Sequence, residues 1–98
     1  MAITSTKEGT TITLQVSGIL NWDQRGGFMQ AITGAGPGFN YIVDLSETEN
    51  IESAGLGMLL MMREMCGGGK ADITLKNANA QVREVMKMAQ FSQLFRLV

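Results

Sequence analysis

Residues 41–60 read Tyr41-Ile42-Val43-Asp44-Leu45-Ser46-Glu47-Thr48-Glu49-Asn50-Ile51-Glu52-Ser53-Ala54-Gly55-Leu56-Gly57-Met58-Leu59-Leu60. Residues 41–45 form a short, nearly continuous apolar run, which predicts a central strand covered by helices. Residues 46–50 are polar and read as a loop. From Ala54 to about Cys66 the chain reads as a helix, stopped by Gly67-Gly68-Gly69. Ser53, just ahead of it, reads as the N-cap, its hydroxyl accepting a backbone N–H two or three residues on.

Outward from this unit the alternation continues. Gly34-Ala35-Gly36-Pro37-Gly38 breaks the chain before the strand. Ahead of the break, Asn21 can cap a helix starting near Trp22, with Asp23 in its first turn and Phe28, Met29 and Ile32 as the inward stripe. Gly26 and Gly27 weaken that helix, each by roughly 1 kcal/mol relative to Ala. Further back, Ile12, Leu14 and Val16 alternate with polar residues, the period of a strand with one buried face, and Gly18 ends the run. Glu8-Gly9 reads as a hairpin turn, which makes residues 2–6 the partner strand.

On the other side, Ala71, Ile73 and Leu75 alternate in a further strand. Asn77 or Asn79 can cap a last helix with Ala78, Val82, Val85, Met86 and Ala89 on one face. Residues 94–98 read as a closing strand with Arg96 between apolar residues. The order β-β-α-β-α-β-α-β predicts an α/β fold, one domain over residues 1–98, with a mixed, mostly parallel sheet of about five strands and about three helices.

The 98 residues are 45% hydrophobic and 17% charged, a globular composition. A formal net charge of −1, with the basic residues scattered, gives no basic face and argues against nucleic acid as a partner. The single cysteine, Cys66, has no internal disulfide partner and suits a reducing compartment. Residues 1–7 lack a signal-peptide pattern, and the longest apolar run, residues 56–62, is too short to span a bilayer. A cytoplasmic protein without membrane insertion is expected. The chain has no histidine, which removes His-based bases, Ser-His triads and His metal ligands. One cysteine removes thiolate zinc sites, and no phosphate-loop or dinucleotide fingerprint occurs. No enzyme activity, cofactor or metal is expected.

Function therefore concentrates on residues 51–60. A helix N-terminus stabilises negative charge, so Ser53 can be both a cap and a phosphate acceptor. A phosphate would add about −1.5 to −2 charges beside Glu52, with Glu47 and Glu49 close in sequence. At about 100° per residue, Met58, Leu59, Met62, Met65 and Cys66 share one side of the helix, opposite Arg63 and Glu64. Leu56 and Leu60 fall on the Arg63–Glu64 side with Gly57 near them. Leucines there are either isolated surface residues or part of a contact. Of the eight methionines, Met58, Met62, Met86 and Met29 are assigned to the core.

Residues 41–46 followed by Ile51-Glu52-Ser53-Ala54-Gly55-Leu56-Gly57 resemble the signature of the STAS family, a central strand leading into D-S-[ST/A]-G-L-G at a helix start. Gly18-Ile19-Leu20-Asn21 is similar to that family's G-x-L-D segment. Residues 76–88 and Phe91-Ser92-Gln93-Leu94-Phe95 are similar to its last strand, helix and ending. Glu52 stands where the family usually has Asp, and Asn21 where it frequently has Asp. The resemblance implies an anti-sigma-factor antagonist that binds a GHKL-type serine-kinase anti-sigma factor. Its implied phosphorylation site is Ser53, reversed by a PP2C-type phosphatase. The implied partner-binding residues are Asn21, Glu52, Ser53, Gly55, Leu56 and Gly57, to which the helix phase adds Leu60. A constitutive STAS subunit of a larger assembly, such as a lipid-transport ABC complex, is the alternative.

Overall fold

The computed structural model describes residues 2–33 and 38–98. Strands β1 (Ala2–Glu8) and β2 (Thr11–Leu20) form the antiparallel hairpin, turned at Gly9 with φ +62°. Parallel to β2 run β3 (Asn40–Asp44), β5 (Asp72–Lys76) and the two-residue β6 (Arg96–Leu97), in the order β1-β2-β3-β5-β6. The crossovers carry helices α1 (Arg25–Ile32), α2 (Ser53–Met65) and α3 (Ala80–Met88). Apart from Gly38, the break read at residues 34–38 lies outside the described residues.

The strands bury one face only. Ile12, Leu14, Val16, Tyr41, Val43, Ile73 and Leu75 pack in one core with Phe28 and Ile32 of α1, Met58, Leu59 and Met62 of α2, and Val82 and Met86 of α3. Thr13, Gln15, Ile42, Asp44, Thr74 and Lys76, on the opposite face, are half-buried. The strand at residues 41–45 is thus central, as its apolar run predicts, but helices cover one of its faces rather than both. Met29 packs against the core edge, completing the four core methionines. Cys66 is buried; burial pushes its thiol up, against a hydrogen bond with the Tyr41 hydroxyl.

Three boundaries differ from the sequence pattern. Residues 48–50, which the pattern reads as polar loop, together with Ile51 form a sixth strand, β4 (Thr48–Ile51), parallel to β2. Its polar sequence hides a buried end at each side, Thr48 at 2% and Ile51 at 4% exposure. The Thr48 hydroxyl donates to the Val16 carbonyl at 2.7 Å, which lets a polar residue sit inside. Gly18 does not end β2: with φ +83° it kinks the strand, which shifts register there and passes from β3 to β4 as its neighbour. The closing strand is only Arg96–Leu97, because residues 91–93 form a 3₁₀ turn from which Phe91 and Phe95, rings 5.0 Å apart, enter the core while Ser92, Gln93 and Leu94 stay at the surface. Ala89, expected on the inner face of α3, is exposed one residue past the helix end.

Asn79, not Asn77, caps α3, its Oδ1 accepting from the Val82 N–H at 2.7 Å. Its Nδ2 donates to the carbonyls of Thr48 and Glu49 at 3.1 and 3.2 Å, so one side chain also fastens β4. Asn79→Ala is expected to cost about 1–2 kcal/mol in urea unfolding. Asn79→Ser, which keeps the cap but not the amide donor, recovers most of that loss. Hydrogen exchange should still show faster opening of residues 48–51 in both variants.

Candidate partner-binding site

The site forms where two neighbouring parallel strands end. Leu20 closes β2 and Ile51 closes β4, directly paired, and the Glu52 N–H donates to the Leu20 carbonyl at 3.0 Å. From these ends the chain leaves as Asn21-Trp22 on one side and Glu52-Ser53 on the other. Paired strands lie about 4.8 Å apart, so the two segments emerge side by side.

Ser53 is not the N-cap of α2. Glu52 holds that position in extended conformation, its side chain makes no cap bond, and Ser53 is the first helical residue, exposed. The first intrahelical bond runs from the Leu56 N–H to the Glu52 carbonyl, which leaves the amides of residues 53–55 without an intrahelical acceptor. The helix starts one residue early because Ile51, not Ser53, is the last residue β4 can pair, and the Glu52–Leu20 bond turns the chain there.

Gly55 is buried under this turn. A Cβ at 55 would collide with the Leu20 carbonyl oxygen and stand 2.9 Å from Ile51 Cγ1. Its role is the close seating of α2 on the end of β2, away from the surface. Gly57 is the opposite case: exposed, with nothing within 4 Å of a Cβ placed there. Around it α2 is apolar outward as well as inward. Met58, Leu59 and Met62 are at most 3% exposed, while Leu60, Met61 and Met65 are 38–43% exposed and Leu56 is half-buried. Met65 therefore belongs to the outer side. Ser53, Leu56, Gly57, Leu60, Met61 and Glu64 follow one another at the spacing of a single helix face.

Asn21 is half-buried and its Oδ1 accepts from the Asp23 N–H at 3.0 Å, capping a single 3₁₀ turn before α1. What this loop turns outward is Trp22, 59% exposed, with the Arg25 guanidinium 4.5 Å from its ring and Arg25 Nη1 donating to the Trp22 carbonyl at 3.1 Å. The sequence pattern starts a helix near Trp22 but does not mark the residue as part of the exposed surface. The signal was its phase, since Gln24, Phe28 and Ile32, the buried line, place residue 22 on the far side. Among the described residues no cluster of metal-ligating side chains occurs. Cavities of about 260 and 290 Å³, one between β1 and the end of α1 and one beneath α3, are lined by residues outside this region.

Comparison with known proteins matches residues 3–98 to the family described as "Mlab, STAS domain". The chain belongs to the STAS domain family. A STAS-domain containing protein of Pseudomonas aeruginosa is 33% identical over 99% of both chains. Two solved structures share the fold. One is an anti-sigma factor antagonist of Mycobacterium paratuberculosis, 19% identical, covering 98% of this chain and 83% of the other at a TM-score of 0.80. The other is the Bacillus cell-fate determinant SpoIIAA in its phosphorylated form, 17% identical, covering 99% and 91% at 0.69.

In this STAS domain Asp44 fastens the loop that enters β4. Its Oδ1 accepts from the Ser46 N–H at 3.0 Å and from Asn77 Nδ2 at 3.4 Å. Partial burial disfavours its charge, but the Ser46 amide and hydroxyl, Asn77 and Lys76 together outweigh it and hold the carboxyl below its ordinary value. A carboxyl depressed in the folded state adds stability above the unfolded-state value and loses it as pH falls through the folded-state value. The stability gap between wild type and Asp44→Asn should therefore narrow as chemical unfolding is repeated from about pH 6 down to about pH 3. The two helix glycines should also separate. Gly55→Ala costs about 2 kcal/mol or more by forced displacement of α2. Gly57→Ala stabilises by up to about 1 kcal/mol through helix propensity. Urea unfolding of both variants measures the contrast.

Proposed function

We propose that this STAS domain is an anti-sigma-factor antagonist working by partner switching, and that Ser53 is its phosphorylation site. The observation that carries the reading is the outward face of α2, where Leu56, Gly57, Leu60 and Met61 continue from an exposed Ser53. An exposed glycine inside a helix costs about 1 kcal/mol against Ala, and among the described residues nothing lies within 4 Å of a Cβ at Gly57 in return. A partner surface that lies close against the helix backbone supplies the reason.

Ser53 suits a reversible mark because its hydroxyl is not the cap of α2: Glu52 occupies that position, and Ser53 is exposed. A phosphate there meets the positive end of the α2 dipole, so the fold tolerates it. It also adds about −1.5 to −2 charges beside exposed Glu52, so a partner seated on Leu56 and Leu60 meets a charge it did not before. SpoIIAA, a structural relative, exists in phosphorylated form. In this scheme the unphosphorylated chain binds a GHKL-type serine-kinase anti-sigma factor and frees its sigma factor. The kinase phosphorylates Ser53, and a PP2C-type phosphatase restores binding, all in the cytoplasm. Glu52, Ser53, Leu56, Gly57 and Leu60 form the contact, with Asn21 and Gly55 shaping it from beneath.

A constitutive subunit of a larger assembly, such as a lipid-transport ABC complex, uses the same face without the phosphate. The family description "Mlab, STAS domain" favours this second reading. Phosphate decides between them. The purified chain is incubated with ATP and, in turn, each GHKL-type serine kinase of its source genome, then weighed intact. One added phosphate, absent in Ser53→Ala, is the expected result. Ser53→Ala keeps binding, whereas Ser53→Asp and Leu60→Glu weaken it by at least about tenfold. A chain that none of these kinases phosphorylates, yet which co-purifies with an ATPase through Leu60, belongs to the second reading.

A further inference from the structure

The loop beside Ser53 displays an aromatic and a cation in a fixed arrangement that the fold does not use. Trp22 is the single tryptophan of the chain and is 59% exposed, although its neighbour Gln24 is 7% exposed. Its position is set by a closed set of bonds. Asn21 Oδ1 accepts from the Asp23 N–H and the Asn21 carbonyl from the Gln24 N–H, both at 3.0 Å. Arg25 Nη1 donates to the Trp22 carbonyl at 3.1 Å, while its guanidinium carbon lies 4.5 Å from the indole centroid. The indole is thus held off the core with a guanidinium stacked on it. Ion pairs among the described residues join Arg63 to Glu64 and Arg96 to Asp72. Arg25 has no carboxylate partner there.

Trp and Arg are the residue types that dominate binding energy at protein interfaces. Stacking on the indole orders the guanidinium in advance, so less freedom is lost when its remaining N–H groups meet a carboxylate. Asp23 on the same loop and Glu52 on the adjoining strand end are exposed acids that repel a partner's carboxylate, whereas Arg25 attracts it. That contrast fixes where an acidic group can dock.

We propose that Trp22 and Arg25 form a second anchor of the partner surface, taking an acidic side chain of the partner on Arg25 with an apolar neighbour packed on Trp22. The proposal rests on the reading of the Leu56–Leu60 face as a docking surface. It adds selectivity: a partner must offer apolar groups to α2 and a carboxylate about one loop away.

The probe is the GHKL-type serine kinase that wild type binds most tightly among those of the source genome, titrated against wild type, Leu60→Glu, Trp22→Ala, Arg25→Lys and Arg25→Glu. Thermal unfolding verifies that each variant keeps the fold, as exposed positions allow. Trp22→Ala and Arg25→Glu are expected to weaken binding by about ten- to a hundredfold, with Arg25→Lys between them and wild type. In the full chain labelled with 5-fluorotryptophan, the one ¹⁹F resonance should shift on adding the kinase. Binding lost in Leu60→Glu but unchanged in Trp22→Ala and Arg25→Glu, or a ¹⁹F resonance that does not move, overturns the anchor and leaves the α2 face standing. Binding unchanged in Leu60→Glu but lost in Trp22→Ala overturns the α2 face and leaves the anchor. No binding to any of the kinases overturns the anchor together with the antagonist reading on which it rests.

Discussion

The seating of α2 on the carbonyl of Leu20 is the contact on which the rest of this molecule depends. Gly55 has no side chain, so the helix backbone comes closer to the end of β2 than any other residue would allow. The same carbonyl accepts the Glu52 N–H, which closes β4 and starts the helix in a single step. Two strand ends, a helix start and the exposed Ser53 are thereby held as one rigid corner. Thr48 below it and Asn79 behind it tie the short β4 to Val16 and to the N-terminus of α3. A site built this way presents a loop-like surface with the stiffness of secondary structure.

Helix α2 has to satisfy two surfaces at once. Inward, Met58, Leu59 and Met62 are lost to solvent completely or nearly so. Outward, Leu60, Met61 and Met65 remain partly hydrated, and Gly57 leaves a bare stretch of backbone between them. A helix selected for stability alone would carry polar residues outside and alanine at 57. That outward composition is the basis of the proposed partner contact, and Trp22 with its stacked Arg25 carries exposed apolar surface onto the loop that follows β2. Both features lie at the carboxyl ends of parallel strands, where α/β sheets expose their variable segments.

The periods of the chain made most of the fold legible. Ile12, Leu14 and Val16 announced a strand with one buried face, and Phe28 with Ile32, and Val82 with Met86, announced helices against it; all of these lie in the core. The sequence also placed Leu56, Gly57 and Leu60 on one helix edge, because a helix of this period has to turn them the same way, and singled out Ser53 just ahead of them. What it missed has one cause. β4 is made of Thr48, Glu49, Asn50 and Ile51, and Thr48 becomes a core residue only through the Val16 carbonyl, 32 positions away. Gly18 looked like a strand end because its positive φ breaks local pairing, whereas the strand resumes against a different neighbour.

By itself, then, the sequence determined the order of the strands and helices other than β4, the buried side of β2 and β5, and the helix that follows Glu52, since these follow from local periodicity and turn chemistry. Tertiary structure alone decided which glycine is a packing requirement and which is bare, as Gly55 and Gly57 differ only in what stands opposite them. It also decided that Glu52 rather than Ser53 takes the cap, because the pairing of Leu20 with Ile51 sets where the helix can begin. And it set the chain leaving β2 at Asn21 next to the chain leaving β4 at Glu52, through pairing of strands some thirty residues apart that no local pattern encodes.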